Sequence, residues 1–444
     1  MRAGFLTLDV TPTHPVPLAG YAAKEGPFAR VDSPLEANIA TFVDDDGNRV
    51  VLGSVDTLFI GEAIREAIAD GAGVPRNRLI LVSTHTHNAP SLAPEVPQLG
   101  QYNPAYGDMV VRRIGEAVRR LAEEPAISVS VGYARQHAPF NINRRRPAWV
   151  LDYPALRRER RLRFGKVIAL APFRQGVVDP TLRCIVMRDE ARKIRAIIWS
   201  FACHPNRYPF PKHVSPDFPG LVRERLRGIF GTDCVVIYLP GLAGSAIPDI
   251  PFPFPRSLGD LFRIALPFNP IVPWFTPGTY GTWTDKLASA AATCVHAAGQ
   301  TSNEADVSHR CTRSAPIFLS HASKPNISLD LVRLDFGKAC GVVAMTGEVI
   351  GEWAPILHPL LPEGWIATGY LAGPCLYVPT DQAVREGGYE ADRFRGLFDL
   401  CGNFVTGLDR IVSQAAADLL NQDRQTISRS GPPRVCNATR ARSP

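Results

Sequence analysis

Short apolar runs alternate with amphipathic helical patterns along the first half of this 444-residue chain. Residues 36–56 predict two strands joined at Asp46-Gly47, a dipeptide typical of hairpin turns. A third apolar run, "RLILVS" at 78–83, follows a helical pattern at 61–73. Apolar residues recur every three or four positions at 106–124, which predicts a longer helix. Strands that alternate with helices in this way indicate an α/β fold, here with mixed β-sheets flanked by helices.

The same alternation continues downstream, with strands predicted at 127–136, 192–205 and 234–240 and a helix at 220–231. Since no internal repeat or clear linker interrupts it, we expect one domain over residues 1–422. The polar and basic end of the chain, 423–444, has no hydrophobic periodicity and is predicted to be disordered.

Two segments depart from this pattern. Residues 248–283 are rich in proline and aromatic residues, and the prolines exclude a continuous helix or a central strand. This segment is either an insert packed on the core or an apolar rim beside an active site. Residues 143–166 carry a large excess of arginine and lysine. They form either a solvated basic face or, with the aromatic segment, a peripheral contact with an anionic membrane.

The overall composition narrows the class of protein. A formal net charge of +7 is mild for this length and does not argue for nucleic acid as a partner. Nine cysteines without a CxxC pair suit reduced thiols in a reducing compartment. The sequence shows neither a signal-peptide pattern nor an apolar run of the roughly 18 residues that a membrane helix needs. We therefore expect a cytoplasmic protein, and no obligate protein partner is indicated.

The strand at 78–83 leads directly into "THTH", so that His85 and His87 lie one residue apart. Alternate residues of a strand point to the same face, and the two imidazoles are therefore expected to project together. Both can ligate a metal ion, or one can ligate it while the other acts beside it. The motif alone is also compatible with two histidines that have only a structural role.

Further polar residues follow later apolar runs. His204 ends the run at 192–205, Glu348 follows a Thr-Gly turn, and Tyr377 and Tyr389 lie in the glycine-rich segment 368–390. Functional side chains commonly gather at strand ends and in the loops after them. Two histidines and a glutamate are also an established zinc ligand set that leaves a position open for water. Together these residues suggest a metal site.

The order of many short blocks resembles the neutral/alkaline, non-lysosomal ceramidase family. The blocks, in chain order, are "AGFLTLDVTP…LAGYA", "DSPLEA", "GSVDTLF", "STHTHNAP", "FNINRRRP", "FACHPN…SPDFPG", "LPGLAGSAIP", "TGEV" and "GYEAD". They span roughly residues 3–420, which corresponds to the catalytic domain of the family. The resemblance implies the fold of that domain in a stand-alone form, without the C-terminal immunoglobulin-like domain of full-length members.

The resemblance also implies roles for single residues. The zinc ligands would be His85, His204, Glu348 and Tyr377. His87, Tyr389 and Arg144 would act on the substrate, with His87 and Tyr389 stabilising developing negative charge and Arg144 holding a polar head group. The implied reaction is zinc-dependent hydrolysis of the amide bond of an N-acyl, ceramide-like lipid.

One block departs from the family. The ceramidases have "G-D-V-S-P", with a serine near the metal, whereas this chain has Ser245 two positions earlier and Ile247 at the position of the family serine. Ser245 is a candidate substrate contact only. The change leaves alternatives open: a zinc esterase or another N-acyl amidohydrolase, a zinc- and lipid-binding protein without turnover, or a metal-free serine hydrolase that uses Ser245 and a histidine.

Overall fold

The computed structural model describes residues 1–20, 26–44, 47–151, 164–250, 257–265, 270, 272, 274–299, 307–320 and 326–429. The strands of this part of the chain are β1 Arg2–Asp9, β2 Arg30–Val31, β3 Glu36–Val43, β4 Arg49–Val55, β5 Leu79–Ser83, β6 Ile127–His137, β7 Asn141–Leu151, β8 Phe164–Phe173, β9 Thr181–Asp189, β10 Ile194–Ser200, β11 His213–Val214, β12 Val235–Leu239, β13 Ala246–Pro248, β14 Val307–Ser320, β15 Asn326–Phe336, β16 Cys340–Thr346, β17 Glu348–Val349, β18 Trp365–Leu371, β19 Tyr377–Val378 and β20 Asn403–Phe404. The helices are α1 Glu62–Ala72, α2 Pro104–Glu123, α3 Asp217–Phe230, α4 Leu258–Ala265, α5 Pro277–Ala297, α6 Ala354–Leu357, α7 Asp381–Glu386 and α8 Leu408–Arg429.

One large mixed sheet dominates the architecture, which confirms the predicted fold class. Within the described residues it has 13 strands in the order β12-β10-β9-β6-β1-β3-β4-β5-β18-β16-β15-β14-β20. Three parallel pairs, β10 with β12, β4 with β5 and β16 with β18, interrupt otherwise antiparallel pairing. Smaller sheets join β13-β7-β8, β11-β2 and β17-β19. The helices lie against the large sheet, as the alternation of patterns predicts.

Burial on both faces explains why β5 is a continuous apolar run. Leu79 and Leu81 pack with α1 and α2 on one side, while Ile80 and Val82 belong to the large core on the other. A strand that is covered on both faces shows no polar alternation. At the far end of the sheet, Trp283 and Leu287 of α5 pack in the same apolar cluster as Trp199 of β10.

The loops that follow several strands meet at one place. β5 and β18 pair only through Val82 and Leu371, near the carboxyl ends of both strands. Backbone hydrogen bonds run from Gly244 to Val349 and from Gly369 to Gly241, which ties the loop after β12 to β17 and β18. The segments that carry His85, His204 and Glu348 follow β5, β10 and β16, so the fold brings them together here.

The structure describes parts of the two unusual segments. The aromatic segment contains α4 and the start of α5, where Pro277 occupies the first turn behind the capping residue Thr276. Phe275, Tyr280 and Trp283 are buried, so this end of the segment packs on the core. Leu258, Leu261 and Phe262 of α4 are exposed. Residues 251–256, 266–269, 271 and 273 lie outside the described part of the segment.

The basic stretch forms the hairpin of β7 and β8, whose tip at 152–163 lies outside the described residues. At the other end of the chain, α8 extends past the predicted boundary at 422 to Arg429. Leu419 and Leu420 are the last described residues of this helix that pack on the core, and the predicted disorder of 423–444 stays a prediction. Residues 430–444 lie outside the described residues. None of the helices in the described ranges combines the length and apolarity needed to cross a membrane.

Candidate metal centre and active site

His85 is held by a left-handed turn rather than by a strand. β5 ends at Ser83, and His85 has a φ of 64°, a conformation that non-glycine residues seldom adopt. The prediction that strand alternation aligns His85 with His87 is therefore wrong in its geometry. The turn buries the imidazole between Phe59 and Tyr370, whose ring centroids lie 5.0 and 4.5 Å away. Nδ1 of His85 lies 2.8 Å from the carbonyl oxygen of Leu58.

His204 is fixed in a similar way in the loop after β10. Its backbone N–H donates to Ala246, and its Nδ1 lies 3.1 Å from the carbonyl oxygen of Ala243. Burial, followed by the positive charge of Arg144, lowers the pKa of His204 well below its usual value. The imidazole is therefore neutral at pH 7, and the carbonyl contact places its proton on Nδ1. Nε2 is left with its lone pair.

Glu348 supplies the third converging group. It lies on β17, directly opposite Tyr377 on β19, and its side chain is buried. One carboxylate oxygen, Oε2, lies 3.3 Å from Nε2 of His85 and 3.5 Å from Nε2 of His204. This buried oxygen accepts no hydrogen bond from the described residues. An anionic oxygen in such a place needs a compensating positive charge.

The two Nε2 atoms of His85 and His204 lie 3.1 Å apart. Both Nδ1 atoms face a carbonyl oxygen, so the two Nε2 atoms are directed at one another beside the Glu348 carboxylate. A cation placed between the three atoms would be coordinated by all of them. Ligand atoms about 2.0–2.1 Å from one tetrahedral ion lie about 3.3 Å from each other, close to the three separations found. The donor set thus fits zinc, although the atoms alone do not identify the metal.

His87 lies beside this centre. The candidate ligand atoms of His85, His87 and His204 all fall within 4.8 Å of one another, so this buried group could hold a metal ion. The His87 backbone donates to the carbonyl of Pro205, and its ring centroid lies 5.1 Å from that of His85. Gly20 lies directly against the His87 ring, and a Cβ at position 20 would lie 2.6 Å from Cγ and Nδ1 of that ring.

Arg144, Tyr377 and Tyr389 form a polar wall next to Glu348. Arg144 donates from Nη2 to the hydroxyl of Tyr377 at 2.9 Å, and its guanidinium lies 6.0 Å from both tyrosine ring centroids. Burial and then Glu348 raise the pKa of Tyr389 to about 12, so it carries a proton at pH 7. Burial alone would lower the pKa of Arg144, but Tyr377, Glu390 and Glu348 outweigh it and raise that pKa. Arg144 is therefore a permanent cation at the edge of the site.

Three residues near the site, of which Glu390 and Tyr370 are buried and Glu352 is partly buried, are missing from the sequence-based predictions. Glu390 contacts Arg144, Glu352 contacts Ser245, and the ring of Tyr370 packs on His85. Glu390 directly follows the predicted Tyr389 in the sequence, and this position could have indicated that it lies near the site. Glu352 lies four residues after Glu348, and Tyr370 lies in the same segment, 368–390, as Tyr377 and Tyr389, but no spacing rule marks either residue as part of a site.

Two solved structures share this fold over nearly the whole chain. Neutral ceramidase from Pseudomonas aeruginosa matches with a TM-score of 0.70 at 14% sequence identity, over 96% of this chain and 74% of the other. The chain has the neutral ceramidase fold. A second structure, described as a ceramidase complexed with C2, gives a TM-score of 0.68 at 14% identity, covering 96% of this chain and 75% of its own. No model of a known protein family and no curated protein matches the sequence.

Within this neutral ceramidase fold, Ser245 has structural contacts. It is fully buried, and its hydroxyl donates to Glu352 at 2.6 Å while accepting from the backbone of Gly351 at 2.9 Å. Among the described hydrogen bonds, none joins Ser245 to a histidine. A nucleophilic serine needs a base within hydrogen-bond reach, and here the hydroxyl proton points to a carboxylate that holds a loop. We therefore do not assign Ser245 a substrate contact or a nucleophilic role.

Ser245→Ala is expected to lower the free energy of unfolding by about 2 kcal/mol, because it leaves the buried N–H of Gly351 without an acceptor and the partly buried Glu352 without a donor. Turnover of the folded variant should stay within a few fold of the wild type. Denaturant unfolding and steady-state kinetics check the two statements separately. A folded Ser245→Ala protein that keeps its metal but has lost turnover would restore the serine-hydrolase alternative.

Proposed function

We propose that this chain is a zinc-dependent hydrolase that cleaves the amide bond of an N-acyl, ceramide-like lipid. The observation that carries the proposal is the convergence of Nε2 of His85, Nε2 of His204 and Oε2 of Glu348 at 3.1–3.5 Å. Two imidazole nitrogens and a carboxylate oxygen, all buried, are a donor set that suits a divalent metal. Tyr377 is proposed as a fourth ligand, because β19 pairs it with Glu348.

Zinc bound at this position would supply a Lewis acid that makes water nucleophilic at neutral pH and polarises the scissile carbonyl. The protein's own residues do the rest. Tyr389, protonated at pH 7, can donate to the oxygen on which negative charge develops. Arg144 holds a polar head group, and His87 delivers a proton to the leaving amine. The net reaction adds one water across the C–N bond and gives a carboxylate and an ammonium group.

The choice of an N-acyl lipid rests on the neutral ceramidase fold together with the buried centre. The structural neighbours are ceramidases by name, and 14% identity carries their fold rather than their substrate. Ile247, which is buried, stands where the ceramidase block has its serine. Ester and other N-acyl amide substrates therefore belong in the same test, since the metal chemistry is shared.

The test is a panel of N-acyl amides and esters that differ in acyl length and head group. Wild-type protein is assayed as purified, after chelation, and after zinc is returned to the chelated sample. We expect hydrolysis of long-chain N-acyl amides that chelation abolishes and zinc restores. Ester hydrolysis alone would reassign the substrate. Zinc-loaded protein that hydrolyses no member of the panel would favour a binding protein and contradict the proposal.

A further inference from the structure

Glu390 is a fully buried carboxylate shared by two consecutive arginines. Its Oε1 accepts from Nε of Arg144 at 2.8 Å, and its Oε2 accepts from Nη1 of Arg145 at 3.1 Å. Consecutive residues of a regular strand point to opposite faces. The pairing of β7 with β8 shifts register between Asn143 and Arg145, and such a bulge re-aims side chains. The irregularity thus allows both arginines to reach one carboxylate.

On the side of the metal centre, Glu390 fixes how Arg144 is presented. Arg144 uses Nε for Glu390 and Nη2 for the Tyr377 hydroxyl, and two such bonds define the plane of a guanidinium. Among the described residues, no hydrogen bond or ion pair uses Nη1 of Arg144. The fixed plane therefore leaves this nitrogen for a substrate oxygen.

On the other side, Arg145 anchors the carboxylate. It donates to Glu386 at 3.2 Å and to the carbonyl of Gly387 at 3.0 Å, and its Nε lies 3.4 Å from Glu352. Arg145 therefore holds Glu390 on the side opposite Arg144, and Arg145 is itself fixed by several partners. Two guanidinium groups also compensate the cost of burying the Glu390 charge.

We propose that Glu390 is a positioning residue that acts on the reaction through Arg144. It does not touch the substrate; it holds the Arg144 guanidinium against Tyr377 and Tyr389 so that one nitrogen faces the reacting group. The inference rests on the proposed function. Glu390 would orient Arg144 in the same way whether the substrate is an amide or an ester.

The test compares wild type with Glu390→Gln, Arg144→Leu and the double variant, all zinc-loaded. Glu390→Gln keeps the size of the side chain but loses its charge, and kcat/KM should fall about a hundredfold, as expected for a misplaced catalytic group. The loss should lie mainly in kcat, with zinc content unchanged. If Glu390 acts through Arg144, the double variant is no worse than Arg144→Leu alone. Independent, multiplying losses would overturn the inference.

A matched control and a second readout separate this inference from a general structural role. Glu386 also accepts from Arg145 but is partly exposed, and Glu386→Gln should change kcat/KM less than threefold. Crystal structures of wild type and Glu390→Gln give a readout that does not depend on turnover. We expect Arg144 to leave Tyr377 in the variant. An Arg144 that stays in place would overturn the inference, even if the wild type hydrolysed no substrate and the proposed function failed.

Discussion

Replacing His204 with alanine is expected to remove the bound metal and to lower kcat/KM at least about a thousandfold. Nε2 of His204 lies 3.1 Å from Nε2 of His85 and 3.5 Å from Glu348, so the substitution removes one corner of the centre. A metal ion supplies several kcal/mol of transition-state stabilisation, and each 1.36 kcal/mol is a factor of ten in rate. Metal analysis of the purified variant and steady-state kinetics measure the two effects.

The control is His296→Ala, which removes an exposed histidine on α5 that packs on Phe230. It should retain the metal and turnover of the wild type. Circular dichroism and thermal unfolding show whether His204→Ala is still folded. A folded His204→Ala protein with full metal content would show that His204 is not a ligand.

Replacing Gly20 with alanine is expected to lower kcat about a hundredfold while the metal stays bound. A Cβ on Gly20 would lie 2.6 Å from Cβ, Cγ and Nδ1 of His87, so the imidazole would have to move. A displacement of about 1 Å of a group in an active site can cost a factor of about 10² in rate. The three heavy atoms nearest to the added methyl group all belong to His87, and the metal content should therefore be that of the wild type.

Gly26→Ala is the matched control for this prediction. Gly20 and Gly26 both have positive φ, 110° and 79°, so alanine introduces backbone strain at either position. A Cβ on Gly26 would have no neighbour within 4 Å. Strain alone would give similar losses in both variants, whereas contact with His87 gives the kinetic loss only at Gly20. Equal kinetics in the two variants would remove the argument that His87 has a catalytic role.

The residues that meet at the site could be predicted from the sequence better than their geometry. Their places after strands suggested His85, His87, His204 and Glu348, the resemblance implied the same set, and the structure brings all four together. The reason given for the pairing of His85 with His87 was wrong, because the chain leaves the strand at Ser83. Hydrophobic periodicity predicts only regular helices and strands. It gives no indication of a single residue with a left-handed backbone.

The support of the metal centre could not be predicted, since it depends on contacts between distant parts of the chain. The carbonyl oxygens of Leu58 and Ala243 fix the protons of the two histidines, and nothing in their residue types marks them. Likewise, the excess of arginine in the basic stretch predicted a charged surface. Arg144 and Arg145 are instead buried, because the carboxylate of Glu390 accepts a hydrogen bond from each of them.

The elements of the fold followed from local patterns, and their arrangement did not. β3, β4, β5, α1 and α2 lie where alternation and helical periodicity placed them. The order of strands in the sheet depends on packing across the core, as where β5 joins β18 through the pairing of Val82 with Leu371 beside the site. For residues 248–283 the sequence left open both core packing and an apolar rim, and it could not indicate that Leu258, Leu261 and Phe262 are exposed while Phe275, Tyr280 and Trp283 are buried.

Metal analysis of wild-type protein alongside His85→Ala, His204→Ala and Glu348→Gln tests the central claim most directly. The arrangement of Nε2, Nε2 and Oε2 predicts about one zinc per wild-type chain, and a large loss of zinc in each folded variant. The same samples, assayed on a hydrolysed amide, should lose turnover in proportion to the lost metal. Wild-type protein that hydrolyses the amide without any bound metal would contradict the account.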